Sequence, residues 1–184
     1  MEYREFGKLD LKVSALGFGC MRLPVIDGDN ARIDEPLATA MLRRAIDQGW
    51  NYVDTAWSYH SEQGEPFVGR VLQDGYREKV YLATKMPSWL VKSQEDLDRY
   101  FDRQLERLQT DHIDFYLLHT LNAGYWENYH KSKVFDWAEK KLSEGKIRHL
   151  GFSFHDRYEV FDRILNGYDN WEFCQLQYNY MDVE

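Results

Sequence analysis

The sequence predicts an α/β fold: a TIM (β/α)8 barrel that is incomplete, with about six of its eight βα units behind an N-terminal β-hairpin. Three observations carry this. Short apolar runs alternate with stretches of helical periodicity at intervals of roughly 30 residues, the period of βα units joined by right-handed crossovers. Three of the runs end in an ionisable residue on their C-terminal side: Tyr52-Val53 in Asp54, residues 80–84 in Lys85, and residues 113–118 in His119. A parallel barrel keeps its strand interiors apolar and gathers reactive groups at the C-terminal rim, so stability alone does not account for the repetition.

The elements follow in order. Residues 1–14 hold two short alternating runs, around 3–6 and 11–13, about Gly7-Lys8-Leu9-Asp10, which reads as a hairpin. Residues 15–20 form the first barrel strand, its glycines permitting close packing or a tight exit. A loop over 21–33, with Pro24 and Gly28, leads to a helix over about 36–48, where Leu37, Met41, Leu42 and Ala45 fall at helical spacing and Gly49 stops it. The second strand runs into Asp54 and is followed by a helix over about 66–73 that ends near Gly75. Strand three covers 80–84, with a rim loop over 86–89. Ser93 with Glu95 and Asp96 reads as an N-terminal cap, and Leu97, Phe101, Leu105 and Leu108 recur at helical spacing behind it. Strand four is 113–118, followed by a polar, aromatic loop over 120–129. A helix over roughly 133–144 ends at Gly145, and strand five is 147–153. Asp156 is expected to cap a fifth helix reaching Leu165, with Asn166-Gly167 as its stop, and 173–178 is strand six.

The whole is one partial domain over 1–184, with the hairpin in 1–14 and strands one to six in 15–184. A full barrel takes about 250 residues and eight strands. Six strands leave the first and sixth as open edges, so the sequence is expected to belong to a longer protein, and the edges to invite self-association.

With 31 acidic against 23 basic residues and a net charge of -8, neither nucleic acid nor an anionic membrane surface is expected as a partner. No apolar run approaches the roughly 18 residues that would span a bilayer, and the opening Met1-Glu2-Tyr3-Arg4-Glu5 lacks the layout of a signal peptide. The cytoplasm is the expected location. Cys20 and Cys174 stand far apart without C-x-x-C spacing, so no disulfide framework and no thiolate metal site is expected. Both read as small buried apolar residues.

Asp54 is followed after four further residues by a phenol, Tyr59, on the loop beyond the strand. Asp54, Tyr59, Lys85 and His119, in that order and at strand ends, resemble the tetrad of the aldo-keto reductase family. Gly64, Glu65 and Gly69 resemble a segment of that family's helix after the tyrosine. The resemblance implies a barrel of the aldo-keto reductase type, with the hairpin plugging its bottom, away from the chemistry. It implies an oxidoreductase that reduces an aldehyde or ketone with NADP(H). Ser153 and Gln175 resemble the positions that hydrogen-bond the nicotinamide carboxamide. Where the family usually has Asn after that serine, this sequence has Phe154 and then His155. The family's stacking ring and its basic phosphate loop belong to strands seven and eight, which these residues do not include. The loops after Lys85 and His119 are similar to those of a bacterial subgroup that carries an iron-sulfur domain after the barrel. No cysteine cluster for such a centre is present among these residues.

The chemistry agrees with the resemblance. A carbonyl accepts hydride only if its oxygen takes a proton or a strong hydrogen bond as charge develops. A phenol with an ordinary pKa of about 10 has that proton to give at neutral pH. A neighbouring ammonium, Lys85, is expected to lower that pKa, with Asp54 holding the lysine and His119 orienting the carbonyl. No side chain supplies hydride, so a nicotinamide cofactor must. Met21, Trp57, Trp89, Tyr125 and Trp126 are the candidates for ligand contacts from rim loops. Each of the four also has a plain use taken singly: Asp54 as a strand-end cap, Lys85 as a chain laid along the core with its head in water, His119 as a satisfied rim histidine, Tyr59 as one tyrosine among 13. Their common order and placement favour a site. Two rival readings stay open, a nicotinamide-binding accessory or sensing module with vestigial chemistry, and an inactive piece of a barrel.

Overall fold

Alternation along each strand and helical spacing between strands resolve into one curled parallel sheet with helices on its outer side. In the computed structural model, which describes residues 1–179 and 181, strands β1 (Tyr3–Glu5) and β2 (Lys12–Ser14) form an antiparallel hairpin. Strands β3 (Phe18–Gly19), β4 (Tyr52–Asp54), β5 (Tyr81–Met86), β6 (Ile113–Leu121), β7 (Ile147–Phe154) and β8 (Phe173–Gln175) then pair in chain order, every pair parallel. Between them run α1 (Glu35–Asp47), α2 (Gly64–Val71), α3 (Gln94–Leu108), α4 (Ala123–Lys131), α5 (Val134–Ser143) and α6 (Tyr158–Leu165).

Two apolar layers follow from the period of two along the strands. The inner face buries Ala83, Phe115 and Leu117 against Tyr52, Tyr81 and Phe173, and the hairpin lays Phe6, Leu9 and Leu11 on the same cluster. The Phe6 and Phe115 rings meet edge to face at 5.0 Å, which closes this end of the sheet with apolar side chains. The outer face packs Tyr116, Leu118 and Phe152 under the helices with Leu42, Phe67, Phe101 and Trp137.

The helix after strand three starts as its sequence suggests: Asp96 accepts from the backbone N–H groups of Ser93 at 3.1 Å and Lys92 at 2.8 Å, satisfying donors that a helix start leaves open. Elsewhere the structure corrects the expectation. The span 120–129 is not a loop, because β6 continues to Leu121 and α4 begins at Ala123. Its polar composition masks an apolar face on which Trp126 and Tyr129 are buried. Asp156 does not cap α6. Its carboxylate accepts from the N–H of Arg157 at 2.8 Å and reaches back to accept from the N–H of Ala123 at 3.1 Å, so it caps α4, while α6 begins at Tyr158 with Arg157 as an N-cap that makes no side-chain bond. The final strand is shorter than expected, residues 173–175. Cys20 is buried as expected but Cys174 is exposed, since it lies on the outermost strand of the sheet.

Candidate active site

The sheet register brings the rim residues together. Asp54 is the last residue of β4 and Lys85 the penultimate one of β5, both on the inward face that Tyr52, Ala83 and Tyr81 also line. The Lys85 ammonium donates to Asp54 Oδ1 at 2.8 Å and Oδ2 at 2.7 Å, to the Thr55 carbonyl at 2.8 Å, and lies 3.3 Å from Tyr59 Oη. Its side chain is only 2% exposed. A buried ammonium is tolerated when its protons are bonded and an opposite charge is at hand, and both hold here. The Tyr59 loop is turned back on itself by bonds from Tyr59 N to Ala56 O and from Gly64 N to Tyr59 O.

His119 enters from β6, whose ladder to β7 slips between Leu118 and Leu121: Leu118 pairs with Phe152 and Leu121 with Phe154, leaving one extra residue on β6. Such a bulge re-aims side chains. The His119 ring centroid lies 6.3 Å from that of Tyr59 and 5.3 Å from that of Trp89. Its carbonyl accepts from Ser88 Oγ, which accepts in turn from Tyr129 Oη at 2.7 Å. Its Nδ1 is buried without a partner among the described residues. Ser153, on β7, accepts the N–H of Thr120 at 2.7 Å and so helps hold the bulge. Ser153 and Gln175 are register partners on β7 and β8, which sets both on one face of the sheet beside the site.

Burial governs the protonation states. It lowers the His119 pKa to about 3, with the Lys85 and His155 charges acting the same way, so the imidazole is neutral through the ordinary range. Burial pushes the Asp54 carboxyl up, and the Lys85 ammonium pulls it back. At Tyr59 the ammonium lowers the phenol as expected, but burial outweighs it and the pKa is raised, with Asp54 and Cys20 adding to the rise. The net shift is upward because desolvation of the ring exceeds the effect of the neighbouring ammonium. A phenol shifted upward keeps its proton at neutral pH and has it to give.

A cleft of about 540 Å³ opens over these groups, lined among others by Met21, Tyr59, His60, Trp89, His119 and His155. A second cavity, about 620 Å³, lies at the opposite ends of the strands around Arg77, His112 and Arg148 and touches none of the four. Of the expected ligand contacts Met21 and Trp89 line the cleft. Trp57 turns outward under the Arg107 guanidinium, 3.7 Å above its ring, and Trp126 packs on Phe135 in the outer layer. Tyr125 packs in that layer too. Sequence reasoning passed over His60 as a residue that shapes the cleft. Buried, it accepts the Leu23 N–H on Nε2 at 3.1 Å, which leaves Nδ1 to donate to the Asn30 carbonyl at 3.0 Å. It thereby ties the loop over 21–33 to the wall beside Tyr59. Its place directly after Tyr59 was the available signal.

The sequence model of the Aldo/keto reductase family matches residues 15–184. The chain belongs to the aldo/keto reductase family. Among this family's members it is 33% identical over 144 residues to the methylglyoxal reductase YeaE of Escherichia coli, covering 78% of the chain and 46% of that protein. The aldo-keto reductase of Bacillus halodurans in its holo form superposes with a TM-score of 0.78 at 32% identity, over 97% of this chain and 58% of that one. An aldo-keto reductase from Klebsiella pneumoniae, solved with NADP and acetate, superposes with a TM-score of 0.73 at 29% identity, over 95% and 57%. The chain spans about half the length of the curated relatives it matches. Among the described residues, no group of three or more His, Cys, Asp or Glu is placed to hold a metal ion, and no helix is long and apolar enough to cross a membrane.

Does the aldo/keto reductase chain fit a nicotinamide? The Ser153 hydroxyl accepts from Thr120 but donates to no group among the described residues, and the Gln175 side chain has no partner among them either. These two side chains have the donor and acceptor capacity a carboxamide would need, Ser153 from a buried position and Gln175 from an exposed one.

Proposed function

We propose that the protein reduces an aldehyde or ketone to an alcohol with NAD(P)H, Tyr59 acting as the general acid. One observation carries the reading: a buried ammonium, Lys85, is clamped on Asp54 and lies 3.3 Å from the Tyr59 hydroxyl, beneath a cleft. Bound reduced nicotinamide supplies the hydride. Tyr59 gives its proton to the carbonyl oxygen as negative charge builds there, and Lys85 stabilises the phenolate that remains. Asp54 holds Lys85 in place through both carboxylate oxygens. His119, neutral, has one N–H to offer the same oxygen and so orients the substrate. Ser153 and Gln175 hold the carboxamide. The cofactor seen in the Klebsiella pneumoniae structure and the carbonyl chemistry named for the Escherichia coli relative support the assignment.

The test is Tyr59→Phe in the intact protein, followed by NADPH absorbance against a panel of aldehydes and ketones. Removing one general acid is expected to lower kcat by about 100- to 10,000-fold. Cofactor affinity, read by fluorescence titration, stays as in the wild type. A phenylalanine variant that turns over at the full rate contradicts the reading.

A further inference from the structure

Behind the inward-facing site, on the helix side of the sheet, sits a second polar cluster that the chemistry above does not use. Glu65 on α2, Thr84 on β5 and Gln104 on α3 are each 0% exposed. A carboxylate so placed is costly unless it is bonded. Glu65 Oε1 accepts from Thr84 Oγ1 at 2.7 Å and from Gln104 Nε2 at 2.6 Å, and Arg107 Nη1 stands 3.4 Å from Oε2. Gln104 in turn is fixed at both ends of its amide: Tyr116 Oη donates to its oxygen at 2.6 Å, and its nitrogen donates to the Lys85 carbonyl at 3.0 Å.

The second arm of the cluster reaches the tyrosine. Arg107 pairs with Glu62 at 2.6 Å and lays its guanidinium over Trp57 at 3.7 Å, and Trp57 and Glu62 flank Tyr59 on its loop. One buried carboxylate thus braces both members of the Lys85–Tyr59 contact, the strand through Gln104 and the loop through Arg107. The bracing depends on α2 and α3 lying very close. A Cβ on Gly69 would stand 2.4 Å from the Arg107 carbonyl and 2.9 Å from Leu108 Cα, so the glycine is what lets Glu65 reach its partners.

We propose that Glu65 and Gln104 are positioning residues that set the separation of Lys85 Nζ and Tyr59 Oη from behind the sheet. This rests on the reading of Tyr59 as proton donor. The pair touches neither substrate nor cofactor, so its effect runs through the Lys85 strand and the Tyr59 loop. The charged and titratable groups that act on Tyr59 are Lys85, Asp54 and Cys20, with the His119 ring beside it. Of these, only Lys85 favours phenolate. Moving Lys85 off the phenol therefore raises the pH at which Tyr59 loses its proton.

The experiment compares Glu65→Ala, Glu65→Gln, Gln104→Leu and Tyr59→Phe in the intact protein, with the best-reduced member of an aldehyde and ketone panel, across pH. Glu65→Ala and Gln104→Leu are expected to lower kcat on the order of 100-fold, the scale of a misplaced catalytic group. The KM for NADPH changes little, and the alkaline limb of kcat moves to higher pH. Glu65→Gln, which keeps an acceptor for Thr84 and Gln104, restores most of the rate. Should Glu65→Ala fail to fold by circular dichroism, Gln104→Leu, which fills the same space, carries the test alone. A loss of rate with an unmoved alkaline limb, or no loss of rate, overturns the positioning role. A Tyr59→Phe variant at full rate instead removes the reading beneath it, so the two failures are told apart.

Discussion

His119 shows how far burial sets behaviour at the scale of one residue. Its pKa falls to about 3 in the folded protein, against an ordinary value of about 6.5. Below about pH 6.5 the unfolded chain binds a proton here that the folded chain refuses, so stability falls as the pH drops toward 3. The stability contributed by the neutral ring is present above pH 6.5 and is lost on the way down. Urea unfolding of wild type and His119→Asn at pH 7 and pH 4 reads this directly. The wild type is expected to lose more stability between the two pH values than the variant, by an amount on the order of a few kcal/mol. Equal losses in both proteins would show that His119 is not the group responsible. That Asp54, Lys85 and His119 lie toward the C-terminal ends of β4, β5 and β6 was legible in the sequence because each follows an apolar run. The upward shift of Tyr59 was not, because desolvation is a property of what surrounds the ring. The partners of Glu65 and His60 were hidden for a related reason: Gln104 lies 39 positions from Glu65, and Leu23 lies 37 from His60.

At the scale of elements, strand ends are stapled by charges as well as by the ladder. Asp114, whose side chain is 2% exposed near the start of β6, accepts from the Leu82 N–H of β5 at 2.9 Å. It also pairs with Arg77 at 2.8 Å and with Arg148 of β7 at 2.9 Å. Removing one member of a fully buried ion pair costs about 3–5 kcal/mol, but here Arg148 is 53% exposed and Arg77 15%, so about 2–3 kcal/mol is expected. Asp114→Ala is expected to lower unfolding stability by that much at pH 7 without altering the cleft at the far end of the strands. A change below about 1 kcal/mol, the worth of an exposed pair, would show that the arginines find water instead. α3 was legible through its apolar spacing, and α1 was legible as a helix although its buried face is Ala38, Leu42, Ala45 and Ile46, with Leu37 and Met41 exposed against expectation. α4 was not, since Gly124 and a polar run weaken its local signal and one of its caps, Asp156, comes from 33 positions away.

For the whole molecule, the order of parallel strands followed from the βα period alone, and the register then decides which groups share a face. Asp54, Lys85, Ser153 and Gln175 stand on the inward side because the period of two puts them there, with the β6 bulge adding His119. The outer layer, which sequence reading treats as packing, holds the glutamate and glutamine that bear on the lysine. Function in this fold is thus a property of the sheet as a whole: helices set strands, and strands set the rim.

The central claim is that Tyr59 and Lys85 work as one proton-donating unit. A double-mutant cycle of Tyr59→Phe and Lys85→Met, read by single-turnover oxidation of NADPH in the intact protein, tests it most directly. Residues that act as a unit are strongly non-additive, so the double variant is expected to be no slower than the slower single variant. Losses that multiply in the double variant would mean the two side chains act independently, and would contradict the account.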